Sequence, residues 1–125
     1  MVIDDSADFI LSLKSSLEGE KESRFRFRVD TYNDPMRALQ DFKAGLYDLL
    51  LIDFMMAKMS NYQLCDRIRQ VDPEIRICYM SGTYPGFEEA RKVLPELPIQ
   101  CFIPKPIKMN DLKKRIITEL GENLS

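Results

Sequence analysis

Two adjacent acids, Asp4 and Asp5, follow the apolar opening Met1–Ile3, and a third, Asp53, closes the run Leu49-Leu50-Leu51-Ile52. Ser81 follows the run Ile75–Met80, and Lys105 stands between Pro104 and Pro106 after the run Ile99–Ile103. Three carboxylates brought together repel one another and raise at least one pKa unless a cation sits among them. Carboxylate oxygens supplemented by water suit Mg²⁺, above all where a phosphoryl group brings further oxygens. A lysine adds a fixed positive charge, and a serine hydroxyl can donate to a phosphoryl oxygen. Phosphoryl transfer needs little covalent work beyond positioning and charge stabilisation. An aspartate nucleophile, two metal-binding acids, a lysine and a hydroxyl meet that need. Singly, each residue is ordinary: an acid or serine after a strand is usually a turn or cap, and Lys-Pro ends a strand. Their recurrence, in order, at the ends of four of five apolar runs points to a site. The remaining run, Phe25–Val29, ends in Asp30 and Thr31, which read as ordinary polar residues.

The elements that must hold these residues follow from the apolar pattern. Short apolar runs alternate with segments of helical period, the pattern of βα units around a parallel sheet. Buried parallel strands read as continuous apolar runs, as Leu49–Ile52 does. Phe25-Arg26-Phe27-Arg28-Val29 alternates instead, as an edge strand with one wet face would. Phe9, Ile10, Leu13 and Leu17 share one helical face behind the capping residues Asp5 and Ser6. Asp34-Pro35 opens a second helix that Gly45 closes. Leu64, Cys65, Ile68 and Val71 form a third stripe, ending before Asp72-Pro73. A short fourth helix is predicted from about Phe87 to Leu94, and a fifth, capped by Asn110, carries Leu112, Ile116 and Leu120. Five βα units with right-handed crossovers place helices on both faces of one parallel sheet. In such folds the site lies at the carboxyl ends of the strands, where the four motifs stand.

Composition narrows the function classes. At 125 residues the chain suits one domain, 1–125. The formal net charge of −2 argues against a broad nucleic-acid-binding face. The cluster Lys108, Lys113, Lys114 and Arg115 reads as a solvated helix face. No run approaches the ~18 apolar residues of a membrane helix. Acids also stand where a signal peptide would be basic, so a cytoplasmic location is expected. Cys65, Cys78 and Cys101 lack zinc or disulfide spacing and read as buried thiols. With no histidine in the chain, histidine-based catalysis, metal ligation and phosphocarrier chemistry are excluded.

On these motifs the chain resembles the receiver domains of two-component response regulators over nearly its whole length. Ile3-Asp4-Asp5-Ser6 is similar to the family's acidic pair, and Asp48–Arg69 to the phosphoacceptor segment. Tyr79-Met80-Ser81-Gly82 is similar to the hydroxyl-bearing end of strand four, and Phe102-Ile103-Pro104-Lys105-Pro106 to the lysine–proline end of strand five. The resemblance implies a flavodoxin-like, doubly wound (βα)5 fold with a five-stranded parallel sheet in the order 2-1-3-4-5. It implies that Asp53 is phosphorylated and that Asp5 binds Mg²⁺ directly, with Mn²⁺ able to substitute. Asp4 would act largely through water, and the backbone carbonyl of Met55 would supply a further ligand. Lys105 would pair with the phosphoryl group, Ser81 would move to hydrogen-bond it, and Phe102 would swing inward on activation. Met55 and Thr83 fall where the family tunes phosphoryl lifetime, and the Lys105–Pro106 bond would be cis. The chain departs from the family at Ala57, usually proline, and at Asn61, usually glycine, whose tolerance of left-handed backbone would still let the loop form. The first strand is also short.

The implied function is a stand-alone phosphoacceptor switch in a two-component phosphorelay, a phosphoprotein and not an enzyme beyond self-phosphorylation and slow self-dephosphorylation. Its expected donor is a sensor histidine kinase or phosphotransfer protein. Its expected output is a downstream protein met by the face of the fourth helix, fifth strand and fifth helix. It would act as a monomer or phosphorylation-dependent dimer, with no direct nucleic-acid contact and no membrane insertion. A phosphorylation-independent binding module is the alternative, which loss of an acid or of Lys105 would have favoured. A flavin- or nucleotide-binding enzyme needs a Gly- or hydroxyl-rich phosphate loop after strand one, where DDSADF places acids. Nothing in the sequence suggests the external-substrate pocket of a phosphatase.

Overall fold

The computed structural model of the chain describes residues 1–53, 61–81 and 101–124. The apolar run after Asp48 forms β3 (Leu49–Asp53), whose Leu50, Leu51 and Ile52 are all buried. Alternate side chains of a strand point to opposite faces, so Leu50 and Ile52 enter one core and Leu51 the other. On one side of β3 lies β1 (Val2–Ile3), paired in turn with β2 (Thr31–Tyr32). On the other lie β4 (Arg76–Ser81) and β5 (Cys101–Pro104). All pairings are parallel, and the order is β2-β1-β3-β4-β5. The implied 2-1-3-4-5 sheet is therefore present, with β1 between β2 and β3.

Four helices are described: α1 (Ala7–Glu18), α2 (Pro35–Asp41), α3 (Asn61–Val71) and α4 (Met109–Leu124). The last is the predicted fifth helix; the predicted fourth lies outside the described residues. Ile10, Leu13 and Leu17 of α1 and Leu112, Ile116 and Leu120 of α4 pack on one face of the sheet with Leu51, Cys78 and Ile103. Ala38 of α2 and Leu64, Cys65 and Ile68 of α3 pack on the other with Leu50, Ile52, Ile77 and Tyr79. Ile52 is fully buried, so Ile52→Val, which deletes one methyl group, is expected to lower stability by about 1 kcal/mol. Urea denaturation checks this, and an unchanged midpoint would mean the site collapses around the loss.

Several sequence expectations are corrected. Phe25–Val29 is not a strand; β2 begins after it, at Thr31. β1 is only two residues long, so its ladder runs out before it reaches this segment, and α1 takes over the polar groups. The Val29 amide donates to Glu18 Oε2 (2.9 Å), and its carbonyl accepts from Lys14 Nζ (2.6 Å). The Val29 amide, and then Lys14, hold the Glu18 carboxyl below its ordinary range. A cavity of about 240 Å³ lies where Phe25, Phe27 and Val29 approach Leu46, Tyr47 and Leu49. β1 itself is supplemented by bonds from Val2 N to Asp30 O (2.9 Å), Asp4 N to Tyr32 O (3.1 Å) and Leu51 N to Met1 O (2.9 Å).

Asp34 and Pro35 open α2 as expected, the Asp34 carboxylate accepting from the Met36 amide at 3.0 Å. The helix stops at Asp41, however, and Gly45, with φ of 76°, shapes the turn beyond it. Val71 is 46 % exposed and leaves the α3 stripe. Asn61 opens α3, and among the described residues no non-glycine has positive φ, so left-handed backbone is not asked of it. α4 starts at Met109, which puts Asn110 inside its first turn. The basic cluster is partly consumed by ion pairs, Lys113 with Glu20 at 2.6 Å and Arg115 with Glu119 at 3.3 Å.

Candidate functional site

Ile3 is register partner of Ile52, so Asp4, the next residue, stands beside Asp53 at the carboxyl edge of the sheet. Asp53 pairs with Met80, and Ser81 pairs with Pro104. Asp4, Asp53, Ser81 and Lys105 therefore follow one another along that edge, on β1, β3, β4 and just past β5.

The acid pair is divided by burial. Asp4 is 1 % exposed, whereas Asp5 is open to solvent and Asp53 is half-buried. Asp4 is secured on both oxygens: the Ser6 amide donates to Oδ1 at 2.8 Å, and Lys105 Nζ donates to Oδ2 at 2.7 Å. Lys105, 101 residues away in sequence, crosses the ends of β4 and β3 to make that bond. A charge buried this deeply is tolerated only when paired and hydrogen-bonded, and Lys105 meets that need. The Lys105–Pro106 peptide is cis.

Ser6 serves twice. Its amide orients Asp4, and its hydroxyl caps α1 by accepting from the Phe9 amide at 3.2 Å. Ser6→Ala removes the cap alone and is expected to lower stability by about 1 kcal/mol in chemical denaturation. An unchanged value would show that solvent satisfies the helix end equally well.

Phe9 lies on the apolar stripe of α1 and packs against the α1–α4 core. It is only half-buried, and Lys105 Nζ lies 4.5 Å from its ring centroid. A ring face beneath an ammonium attracts it electrostatically, so Phe9 is a second support for the lysine. Its place in the first turn of α1, next to the acid pair, was the only available sequence signal.

The structure thus brings Asp4 and Lys105 into contact and sets Asp53 and Ser81 on the strands between. Phe102 is half-buried on β5, opposite Tyr79, and packs against the α2–α3 core. Met55, Ala57 and Thr83 lie outside the described residues. Asp4, Asp5 and Asp53 follow adjacent strands at one sheet edge, and their carboxylates are hard oxygen donors. They fit Mg²⁺ and not a soft metal.

A parallel sheet in this order, with acids, a hydroxyl and a lysine along its carboxyl edge, defines a flavodoxin-like receiver fold. The chain belongs to the response regulator receiver domain family, which it matches over residues 1–117. It is 28 % identical over 115 residues to the cyclic di-GMP phosphodiesterase response regulator RpfG of Xanthomonas campestris, covering 92 % of this chain and 30 % of that protein. It is 30 % identical over 125 residues to the CpxR homolog transcriptional regulatory protein of Haemophilus influenzae, covering all of this chain and 51 % of that protein. The chain spans about half or less of the curated relatives it matches. Among solved structures, the non-phosphorylated HemR receiver domain of Leptospira biflexa superposes with a TM-score of 0.79 at 20 % identity, covering 95 % of this chain and 90 % of that one. A CheY-like receiver domain protein of Methanospirillum hungatei gives 0.76 at 20 % identity, covering 97 % and 91 %. These likenesses carry the fold.

Proposed function

We propose that the chain is a phosphoacceptor switch in which Asp53 takes a phosphoryl group from a histidine kinase or phosphotransfer protein. The observation that carries this reading is the 2.7 Å pair of Lys105 with buried Asp4, which brings a cation across the edge where Asp53 stands. A carboxylate oxygen of Asp53 attacks phosphorus in line, the bond to the donor breaks, and an acyl phosphate forms. Lys105 supplies positive charge to the phosphoryl oxygens, held between Asp4 and the Phe9 ring until they arrive. Ser81, at the end of β4, brings the hydroxyl that then bonds the phosphoryl group. Asp5, Asp53 and the Met55 carbonyl would hold Mg²⁺, or Mn²⁺ in its place, with Asp4 acting through water. Bound there, the ion would neutralise charge on the transferring group.

Phe102 would turn inward on activation and change the face around β5 and the last helix that a downstream protein meets. This reading places the protein in the cytoplasm; among the described residues no helix is long and apolar enough to cross a membrane. Phosphodiesterase and transcriptional outputs belong to RpfG and the CpxR homolog. For this chain the reading includes only self-phosphorylation and slow loss of the phosphoryl group.

The test is intact-protein mass after incubation with acetyl phosphate, with and without Mg²⁺. A Mg²⁺-dependent gain of one phosphoryl group supports the reading. No gain under any condition would favour a phosphorylation-independent binding module on the same fold.

A further inference from the structure

Cys78 of β4 and Cys101 of β5 are register partners. Partnered residues of adjacent parallel strands present their side chains on the same face, with backbones ~4.8 Å apart. That lies within the ~4.4–6.8 Å Cα separation a disulfide spans. Both thiols are free and buried in the α1–α4 core. Their sulfurs and a carboxylate oxygen of Glu119 lie within 4.8 Å of one another.

Such a cluster could suggest a metal site, but Glu119 is already committed. Arg76 holds its carboxylate at 3.0 Å and Arg115 at 3.3 Å. Two guanidinium groups there repel an added cation and occupy the acid that would have to ligate it. They have the opposite effect on a thiolate. The Arg115 charge favours a thiolate at Cys101, and the Arg115 side chain itself is 44 % exposed.

We propose that Cys78 and Cys101 are a peroxide-reactive dithiol that closes into a reversible disulfide between β4 and β5. Interaction with the Cys78 thiol holds the Cys101 thiol below its ordinary range against the opposing effects of burial and of the Glu119 carboxylate, and Arg115 adds to the lowering. The same interaction, and then burial, push Cys78 up. In the proposed reaction Cys101 attacks as the thiolate and Cys78 resolves. The Cys101 sulfur attacks one oxygen of hydrogen peroxide and the O–O bond breaks, leaving a sulfenic acid and a hydroxide that is protonated to water. The Cys78 sulfur then attacks the sulfenic sulfur, the S–S bond forms, the S–O bond breaks, and the departing oxygen leaves as a second water. Two thiols lose two electrons and two protons, and one peroxide becomes two waters.

Cys65 is a built-in control. It lies in the other core cluster, its sulfur 2.7 Å from the Tyr79 hydroxyl, and burial pushes it up to about 11. The cross-link would fasten the two strands that lead to Ser81 and Lys105. Its effect on phosphorylation rests on the proposed function, whereas formation of the bond does not.

The chain is treated with hydrogen peroxide, denatured, alkylated with N-ethylmaleimide and weighed intact. The reduced chain takes three adducts. The oxidised chain is expected to be lighter by two hydrogens, to take one adduct, at Cys65, and to regain three after dithiothreitol. Peptide mass should join the Cys78 and Cys101 fragments. Arg115→Gln, which leaves both thiols in place, is expected to slow the loss of adducts. Three adducts after peroxide, a bond through Cys65, a link between two chains, or over-oxidation of Cys101 without a link would each overturn the proposal. Because the deciding measurement uses the unaltered chain, it does not depend on a cysteine variant folding.

Discussion

Asp53→Asn is expected to abolish the Mg²⁺-dependent phosphoryl gain from acetyl phosphate. Asparagine has nearly the shape of aspartate, so the end of β3 between Asp4 and Met80 is preserved. What is lost is the nucleophilic carboxylate oxygen and one negative charge. Asp4 sits beside Asp53 on the neighbouring strand, so removing that charge also relieves like-charge repulsion. Stability in chelator is accordingly expected to hold or rise while acceptance falls to background, which separates lost chemistry from lost fold. Phosphoryl gain surviving in Asp53→Asn would move the acceptor to another residue. Loss of stability together with acceptance would deprive the result of its meaning for mechanism.

Lys105→Met is expected to be the costliest single change at the site for stability. Methionine keeps much of the apolar stem but removes the ammonium from Asp4 Oδ2, leaving a carboxylate whose residue is 1 % exposed with, among the described residues, only the Ser6 amide as partner. Breaking a buried ion pair from one side costs ~3–5 kcal/mol. The Lys105 side chain is 20 % exposed, so solvent screening reduces the expected loss to about 2–3 kcal/mol. The contact with the Phe9 ring is lost as well. Denaturant titration in chelator measures the loss, and added Mg²⁺ is expected to recover more of it in the variant than in the parent chain. Equal stability of the two chains in chelator would show that the Asp4–Lys105 bond contributes nothing to the fold.

How far these residues could be read from the sequence depends on the distance over which each is determined. A strand buried on both faces is a continuous apolar run, and the first polar residue after it marks the sheet's carboxyl edge. Leu49–Ile52 and Ile75–Met80 therefore located Asp53 and Ser81 directly, and the runs before Asp4 and Lys105 did the same with less margin. Phe25–Val29 misled because alternation reports one wet face and not a strand partner. β1 was too short to supply that partner, and Glu18 and Lys14, from a helix, took the Val29 polar groups instead. Gly45 stands four residues past the end of its helix and Asn110 one residue inside the start of its own, because tertiary packing outweighs local caps worth about 1 kcal/mol.

The apolar runs, their right-handed parallel assembly and the residues along the carboxyl edge are legible in the chain alone, since side-chain period and chain chirality act locally. Which groups meet across that framework emerges with the folded packing: Lys105 on Asp4 and over Phe9, Cys78 against Cys101, and Glu119 between Arg76 and Arg115. Apart from Arg115 and Glu119, which lie one turn apart on α4, each of these contacts joins side chains from segments far apart in the chain. Whether they touch depends on strand register and helix placement, which the fold as a whole sets.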